Sequence, residues 1–171
     1  IAVVAADRLD VFLGNASEDL TAAEMDPEDT ALWMYTSGTT GQPKGAVHVH
    51  ASIPLGERHV RENLGLEPGD RIFSTSKLFF AYPLGHCLIG ALRVGATLVL
   101  HRGWPDSAAS AEVIARTRPK VVLSVPALYR LMLTDGVAAS DAFRNVRTWV
   151  SAGENLPAEL CRRGMDETGG M

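Results

Sequence analysis

The chain has 171 residues, 46% of them hydrophobic and 21% charged, and its formal net charge is −4 at pH 7. A chain of this length forms about one domain with a buried core. The small negative charge gives no electrostatic footprint for a nucleic-acid partner, and no apolar run reaches the roughly 20 residues of a membrane span. Cys87 and Cys161 lie far apart in a sequence without a secretory signal pattern, so we expect free thiols.

The first 30 residues carry few structural signals. Apolar runs at 1–4 and 11–13 predict short buried strands. Residues 15–30 are polar and acidic, which is typical of a solvated connection. We assign no chemistry to this region.

Two predicted strands flank a polar segment. Residues 31–35 are apolar, and residues 46–50 alternate as in a strand that returns beside the first. Together they would form a hairpin that holds both ends of segment 36–45. His48 and His50 would share one face of the second strand, but with no third ligand nearby we interpret them as structural rather than metal-binding.

The segment between these strands has the composition of an anion-binding loop. From Tyr35 to Gly45 it reads Tyr-Thr-Ser-Gly-Thr-Thr-Gly-Gln-Pro-Lys-Gly. Glycines allow close backbone approach to a ligand, successive N–H groups make an anion cradle, and Lys44 adds a point charge suited to phosphate. The lysine lies between Pro43 and Gly45, so the segment is not a Walker loop. A plain surface turn is the alternative interpretation.

Helices and strands alternate in the rest of the chain. Ser52 and Asp106 are predicted to cap helices. The helix that starts at Pro126 is predicted to carry an apolar stripe of three residues, namely Leu128, Leu131 and Met132. Predicted strands lie at 71–75, 95–100, 120–125 and 146–150, and predicted helices at 52–64, from segment 76–85 to about 93, and at 106–117, 126–135 and 157–167.

This alternation predicts an α/β fold with a mostly parallel sheet flanked by helices. In such sheets ligands bind at the carboxyl ends of the strands. Segments 36–45, 76–85 and 151–154 each follow a predicted strand. We therefore expect the three segments to meet in one crevice.

These segments carry a family resemblance. Tyr35–Gly45 resembles, without a gap, the phosphate-binding signature of the adenylate-forming superfamily, which includes acyl- and aryl-CoA synthetases, luciferases and peptide-synthetase adenylation domains. Residues 77–85 resemble the aromatic motif of benzoate- and hydroxybenzoate-type ligases, and residues 151–157 resemble a second element of the same group. Pro83, His86 and Asn155 depart from the usual Gly, Asn and Ala, which bears on the substrate more than on the reaction.

The resemblance implies roles for individual residues. Those that would bind the phosphates of ATP are Thr36, Ser37, Gly38, Thr39, Thr40, Gly41 and Lys44. Those that would form the acid pocket and contact adenine are Ala81, Tyr82, Gly85, Ser151, Ala152, Gly153 and Glu154. No metal ligand is assigned to this chain.

The implied reaction is ATP-dependent activation of a carboxylic acid, which the resemblance implies to be an aryl acid, to an acyl-adenylate, followed by thioester formation with CoA. ATP, Mg²⁺ and CoA would be the co-substrates. One alternative is a ligase that loads the acyl group onto a carrier-protein thiol. Another is a non-catalytic module that binds nucleotide or aryl acid.

The resemblance covers residues 31–167, and residues 1–30 match only loosely. In the family, a Mg²⁺-binding glutamate and a catalytic lysine follow further along the chain, and neither motif is in this sequence. We therefore expect residues 1–171 to be a fragment of the N-terminal domain of a longer cytoplasmic ligase. The isolated chain is expected to be inactive, and no catalytic residue is assigned within it.

Overall fold

The computed structural model describes residues 6–14, 16–36 and 41–169. It contains two sheets: an antiparallel hairpin of two strands, and a four-stranded parallel sheet in the order β4-β3-β5-β6. The strands are β1 (Thr30–Thr36), β2 (Lys44–Val49), β3 (Arg71–Ser74), β4 (Thr97–Val99), β5 (Val121–Ser124) and β6 (Thr148–Ser151). The predicted α/β fold with a mostly parallel sheet is confirmed.

The helices are α1 (Leu9–Gly14), α2 (Ile53–Glu62), α3 (Ala81–Pro83), α4 (Leu92–Val94), α5 (Ser107–Thr117), α6 (Pro126–Thr134), α7 (Asp141–Arg144) and α8 (Ala158–Thr168). Helices α3 to α7 lie in the connections between the parallel strands. A π-helical segment, Leu84–Ala91, joins α3 to α4. Short 3₁₀ turns lie at Ala6–Arg8, His50–Ser52 and Val137–Ala139. No helix in the described ranges is long and apolar enough to cross a membrane.

The two central strands of the parallel sheet, β3 and β5, are buried on both faces. Along β3, Ile72 and Phe73 point into two different apolar clusters, and Val121 and Val122 do the same along β5. One cluster packs against α5, α6 and α8, and the other against α2 and the π-helical segment. Successive strand residues face opposite sides, so a sheet covered on both sides needs continuous apolar runs.

The helix caps follow the sequence in part. Asp106 caps α5 as predicted, its Oδ1 accepting a hydrogen bond from the Ala109 amide at 2.8 Å. Ser52 precedes α2 but makes no side-chain cap, because its hydroxyl donates instead to the Val49 carbonyl at 2.7 Å. That bond closes the turn between β2 and α2.

Two predictions about burial are wrong. Residues 11–13 lie in α1 and are exposed, rather than forming a buried strand; residues 1–4 lie outside the described ranges. In α6 the predicted Leu131 is 49% exposed, whereas Tyr129 and Leu133 are buried with Met132. The rotation of α6 against the sheet places Tyr129 inward, because its hydroxyl finds carbonyl partners there.

Helix α2 crosses the π-helical segment at glycines. A Cβ on Gly90 would lie 2.7 Å from the Gly56 carbonyl oxygen and 2.9 Å from Val60 Cγ1. Such distances leave no room for a side chain. The crossing therefore requires glycine at residue 90, and it holds the start of the 81–94 helix next to α2.

Candidate functional site

The hairpin holds both ends of the predicted phosphate segment. Thr36 at the end of β1 pairs with Lys44 at the start of β2, and both residues are exposed. Gly41 has a φ of +78°, a conformation that glycine adopts without strain. The other predicted phosphate ligands, Ser37, Gly38, Thr39 and Thr40, lie outside the described residues. The predicted hairpin is confirmed, and it fixes the separation of the two ends of the segment.

A tyrosine covers the last glycine of the motif. Tyr35 pairs with Gly45 across the hairpin, and a Cβ on Gly45 would lie 3.3 Å from the Tyr35 ring. The ring therefore packs on the backbone that follows Lys44. This cross-strand contact explains in physical terms why an aromatic residue and a glycine bracket the segment.

An apolar cavity of about 190 Å³ separates the hairpin from the helices. Leu32, Met34 and His48 line it from the hairpin, and Ala81, Leu84 and Gly85 line it from the start of the 81–94 helix. Its remaining walls come from Ser52, Ile53, Gly56 and Ile89. The structure thus brings Ala81 and Gly85, two predicted acid-pocket residues, against the strands that carry the phosphate segment.

Tyr82 does not line this cavity. Its side chain packs against the apolar cluster on the α2 side of the sheet, and its buried hydroxyl has no hydrogen-bond partner among the described residues. Burial raises the pKa of Tyr82 well above its usual value, and the nearby Cys87 thiol adds to the rise. The hydroxyl is therefore a neutral donor whose hydrogen-bonding capacity is unused.

His86 anchors the first turn of the π-helical segment. Its Nδ1 lies 2.7 Å from the Tyr82 carbonyl oxygen, and its ring lies 4.9 Å from the ring of His59. Burial lowers the pKa of His86, and although the Tyr82 carbonyl opposes this, the neighbouring His59 lowers the pKa further. At neutral pH the imidazole is uncharged and donates from Nδ1 to the carbonyl.

Hydroxyl groups line the carboxyl ends of the central strands. Thr75 Oγ1 and Ser124 Oγ, which follow β3 and end β5, lie 2.7 Å apart and are buried. Ser151 ends β6, and its Oγ is buried without a partner in the described part of the chain. Tyr129 donates to the Val150 carbonyl at 2.7 Å, directly before Ser151. Sequence reasoning missed Thr75, Ser124 and Tyr129, although two of them follow apolar strand runs.

The segment after β6 is tied to α6. Glu154 Oε1 accepts a hydrogen bond from the Ala127 amide in the first turn of α6, at 3.1 Å. A carboxylate at a helix N-terminus is a favourable partner for unpaired amides. Gly153 has a φ of +94°, and a Cβ there would lie 3.4 Å from Val125 Cγ1. Glycine at this position is thus required by the backbone.

Of the predicted site residues in the described part of the chain, Ala81 and Gly85 line the cavity beside the hairpin. Ala81 and Gly85 meet the hairpin, whereas 151–154 lie at the end of β6 and do not line that cavity. The Tyr82 side chain packs against the same apolar cluster as Val150, the residue before Ser151. His48 lines the cavity, and the described residues contain no group of three or more His, Cys, Asp or Glu placed to hold a metal ion.

Known proteins resemble this chain in both sequence and fold. A family model described as AMP-binding enzyme matches residues 3–170. The 3-hydroxybenzoate–CoA ligase of Aromatoleum sp. (strain CIB) is 45% identical over 161 residues, which are 94% of this chain and 31% of that protein.

Solved structures agree with the sequence match. A benzoate CoA ligase from Burkholderia xenovorans LB400 superposes with a TM-score of 0.82 at 34% identity, covering 94% of this chain and 32% of that one. The anthranilate CoA ligase AuaEII, in complex with anthranoyl-AMP, superposes with a TM-score of 0.80 at 34% identity, covering 89% and 30%.

The chain spans about a third of the length of these relatives. The family model, in contrast, extends over almost all of its residues. The sequence signature at 35–45, the parallel sheet and these matches lead to one conclusion: the chain belongs to the AMP-binding enzyme family.

Proposed function

We propose that the full-length protein activates an aromatic carboxylic acid with ATP and transfers the acyl group to CoA. One observation carries the proposal. The hairpin that holds the phosphate segment also forms one wall of an apolar cavity, and the opposite wall contains Ala81 and Gly85. Residues of the proposed phosphate site and of the proposed acid site thus belong to adjoining structural units.

The phosphate site is proposed to hold the β- and γ-phosphates of ATP. Thr36 and Lys44 stand at the two ends of the segment, and the exposed lysine supplies a positive charge there. Backbone amides and hydroxyls of Ser37, Gly38, Thr39 and Thr40 complete the proposed set, together with Gly41. Such donors stabilise the charge that develops on the leaving pyrophosphate.

The acid site is proposed to take a flat ring. The small residues Ala81 and Gly85 leave space beside the apolar walls of the cavity. Tyr82 and segment 151–154 (Ser151, Ala152, Gly153 and Glu154) are proposed to contact the acid and the adenine from the sheet side. The named substrates of the relatives, 3-hydroxybenzoate, benzoate and anthranilate, are all aromatic acids.

The proposed chemistry has two displacements. A carboxylate oxygen of the acid attacks the α-phosphorus, the bond to the β-phosphate oxygen breaks, and pyrophosphate leaves with the bonding electrons. A thiolate then attacks the acyl carbon and AMP leaves. Mg²⁺ bound to ATP would neutralise phosphate charge. We assign neither a Mg²⁺ ligand nor a catalytic residue to this chain, which we propose to be part of the N-terminal domain of the ligase.

Pyrophosphate exchange tests the proposal. The full-length protein is incubated with MgATP, labelled pyrophosphate and either 3-hydroxybenzoate, benzoate or octanoate. Label is expected to enter ATP with the aromatic acids and not with octanoate. Exchange with octanoate alone would refute the acid class. Absence of exchange with every acid, together with binding of ATP or benzoate, would instead support the non-catalytic binding module.

The acceptor is tested separately. We propose CoA because the three similar proteins described above are named CoA ligases. Mass spectrometry of the reaction with CoA is expected to detect the aryl-CoA thioester. If only the aryl-adenylate accumulates and a phosphopantetheinylated carrier protein gains the acyl mass, the carrier-protein alternative replaces CoA.

Lys44→Ala tests the phosphate site. Loss of one charge among several donors is expected to slow exchange by about tenfold and to leave the KM for the acid within about twofold. Arg58→Ala is the matched control, because Arg58 is an exposed cation on α2 that pairs only with Glu62 among the described residues. Equal losses in both variants would argue against a role for Lys44 at the phosphates.

A further inference from the structure

The ammonium group of Lys77 is fully engaged by backbone carbonyls. Its Nζ donates to the carbonyl oxygens of His101 at 2.8 Å and Arg102 at 3.0 Å, and also to that of Gly103. A lysine has three N–H donors, and these three acceptors use all of them. The Trp104 ring centroid lies 5.6 Å from Nζ and adds a cation–π contact.

These bonds span a cleft. The segment after β3 and the segment after β4 line a cavity of about 330 Å³, with Lys77 and Phe79 on one side and Leu100 and His101 on the other. Packing does not fill this space. The hydrogen bonds of Lys77 therefore hold the two segments in register where side-chain contact leaves a gap.

Lys77 also stabilises the turn that leads into α3. The Lys77 carbonyl accepts from the Phe80 amide at 3.0 Å, and Phe80 is the N-cap of the helix that begins at Ala81. The Phe80 carbonyl in turn accepts from the Leu84 amide at 3.0 Å. A displacement of Lys77 is thus passed through one tight turn to the residues of the proposed acid site.

We propose that Lys77 is a positioning residue for the acid pocket. Its ammonium ties segment 77–80 to carbonyls 101–103 and so fixes Ala81 and Tyr82 relative to the sheet. It does not touch substrate, because its donors are consumed. This inference rests on the proposed function, since it requires an acid to be bound beside Ala81.

Kinetics of Lys77→Met in the full-length protein test the inference. Methionine keeps the aliphatic stem but leaves three carbonyls without their donor. The KM for 3-hydroxybenzoate in pyrophosphate exchange is expected to rise about tenfold, because small misplacement of a binding group has effects of this order or larger. The KM for ATP is expected to stay within twofold. Arg58→Met serves as the matched surface control and should change neither constant.

A second variant keeps the test decisive if Lys77→Met fails to fold. Lys77→Arg retains the charge, but a planar guanidinium does not match three converging carbonyls as an ammonium does. It should show the same selective rise in the KM for the acid, by about threefold. An unchanged KM for the acid in a folded variant, or equal changes in both KM values, would overturn the inference. No exchange by the unaltered protein would instead refute the proposed function itself.

Discussion

The two central strands of the parallel sheet and the two strands of the hairpin are built in opposite ways. All four residues of β5 are buried and β3 is buried from Ile72 onward, whereas β1 and β2 have no buried residue. In the hairpin, Trp33 and Tyr35 are 65% and 74% exposed. Burial therefore fixes the centre of the sheet, while the hairpin is defined by its backbone ladder and by local contacts such as that of Tyr35 with Gly45.

This difference separates stability from ligand binding. Thr36 and Lys44, two predicted phosphate ligands, belong to the exposed hairpin, and the residues of the buried core belong to the parallel sheet and its helices. Substitutions in the hairpin are therefore expected to affect binding more than folding. The reverse is expected in the sheet, and matched pairs of substitutions test this contrast.

Gly90→Ala tests the tight packing between α2 and the π-helical segment. The new methyl would lie 2.7 Å from the Gly56 carbonyl oxygen, and we expect a loss of about 3 kcal/mol in the free energy of unfolding. Gly85→Ala is the control in the same π-helical segment, because a Cβ there meets no atom within 4 Å. Similar urea midpoints for the two variants would show that α2 shifts freely and that the crossing is loose.

Val122→Ala and Val47→Ala compare the two sheets with one chemical change. Val122 is fully buried and Val47 is 57% exposed. Removal of the buried methyl groups is expected to cost about 2 kcal/mol, and removal of the exposed ones less than about 0.5 kcal/mol. Urea unfolding measures both. A larger loss for Val47 would mean that the hairpin face is covered in the protein.

Tyr129→Phe and Tyr35→Phe compare a buried hydroxyl with an exposed one. The Tyr129 hydroxyl donates to the part-buried Val150 carbonyl, and its removal takes this donor away from that acceptor. A cost of about 1 kcal/mol in thermal unfolding is expected, against almost none for Tyr35. Because Val150 precedes Ser151, faster amide hydrogen exchange at 151–153 should accompany the loss. Unchanged amide hydrogen exchange at 151–153 would show that the Tyr129 hydroxyl does not stabilise the proposed site.

Asp70→Asn is expected to have the smallest effect and to depend on pH. Burial acts to raise the pKa of Asp70, but the Lys120 hydrogen bond at 2.6 Å, the Glu67 amide and nearby cations outweigh it, so the pKa is lowered. Stability from this carboxylate is thus present above its unfolded pKa of about 3.9 and is lost as pH falls through the lower folded value.

Replacement should therefore cost less than about 1 kcal/mol at pH 7 and nothing at pH values below the folded pKa. The control is Asp141→Asn, whose side chain is 95% exposed. Unfolding midpoints measured at pH 7 and at pH 3 give the comparison. The same loss at both pH values would assign the effect to something other than the charge of Asp70.

Local signals predicted much of the framework. Asp106 forms the expected cap, and the alternation of apolar runs with helical segments yielded the parallel sheet. The exposed run at 11–13 misled the prediction because three apolar residues do not distinguish a strand from a short helix. Leu131 was misplaced because the apolar pattern of α6 fits two rotations, and the hydroxyl of Tyr129 selects between them.

The candidate site was less predictable because its decisive contacts are distant in sequence. Lys77 meets carbonyls 24 to 26 residues away, and no local pattern signals such an arrangement. Thr75 and Ser124 pair across strands 49 residues apart. The three motif segments were recognised correctly as following strands. Ala81 and Gly85 lie against the hairpin, whereas Ser151 lies at the end of β6. These positions depend on tertiary packing, which the periodicity of apolar residues does not encode.

The π-helical segment determines which side chains face the cavity beside the hairpin. A π turn contains one residue more than an α turn, so it changes the rotational phase of the helix on either side. Deletion of a single residue between Leu84 and Ala91 would restore α geometry and rotate the preceding turn by about 100° relative to the following one. Ala81 and Gly85 would then exchange places with their neighbours at the cavity wall. One codon thus suffices to present a new set of side chains at the cavity wall, while the parallel sheet beneath stays as it is.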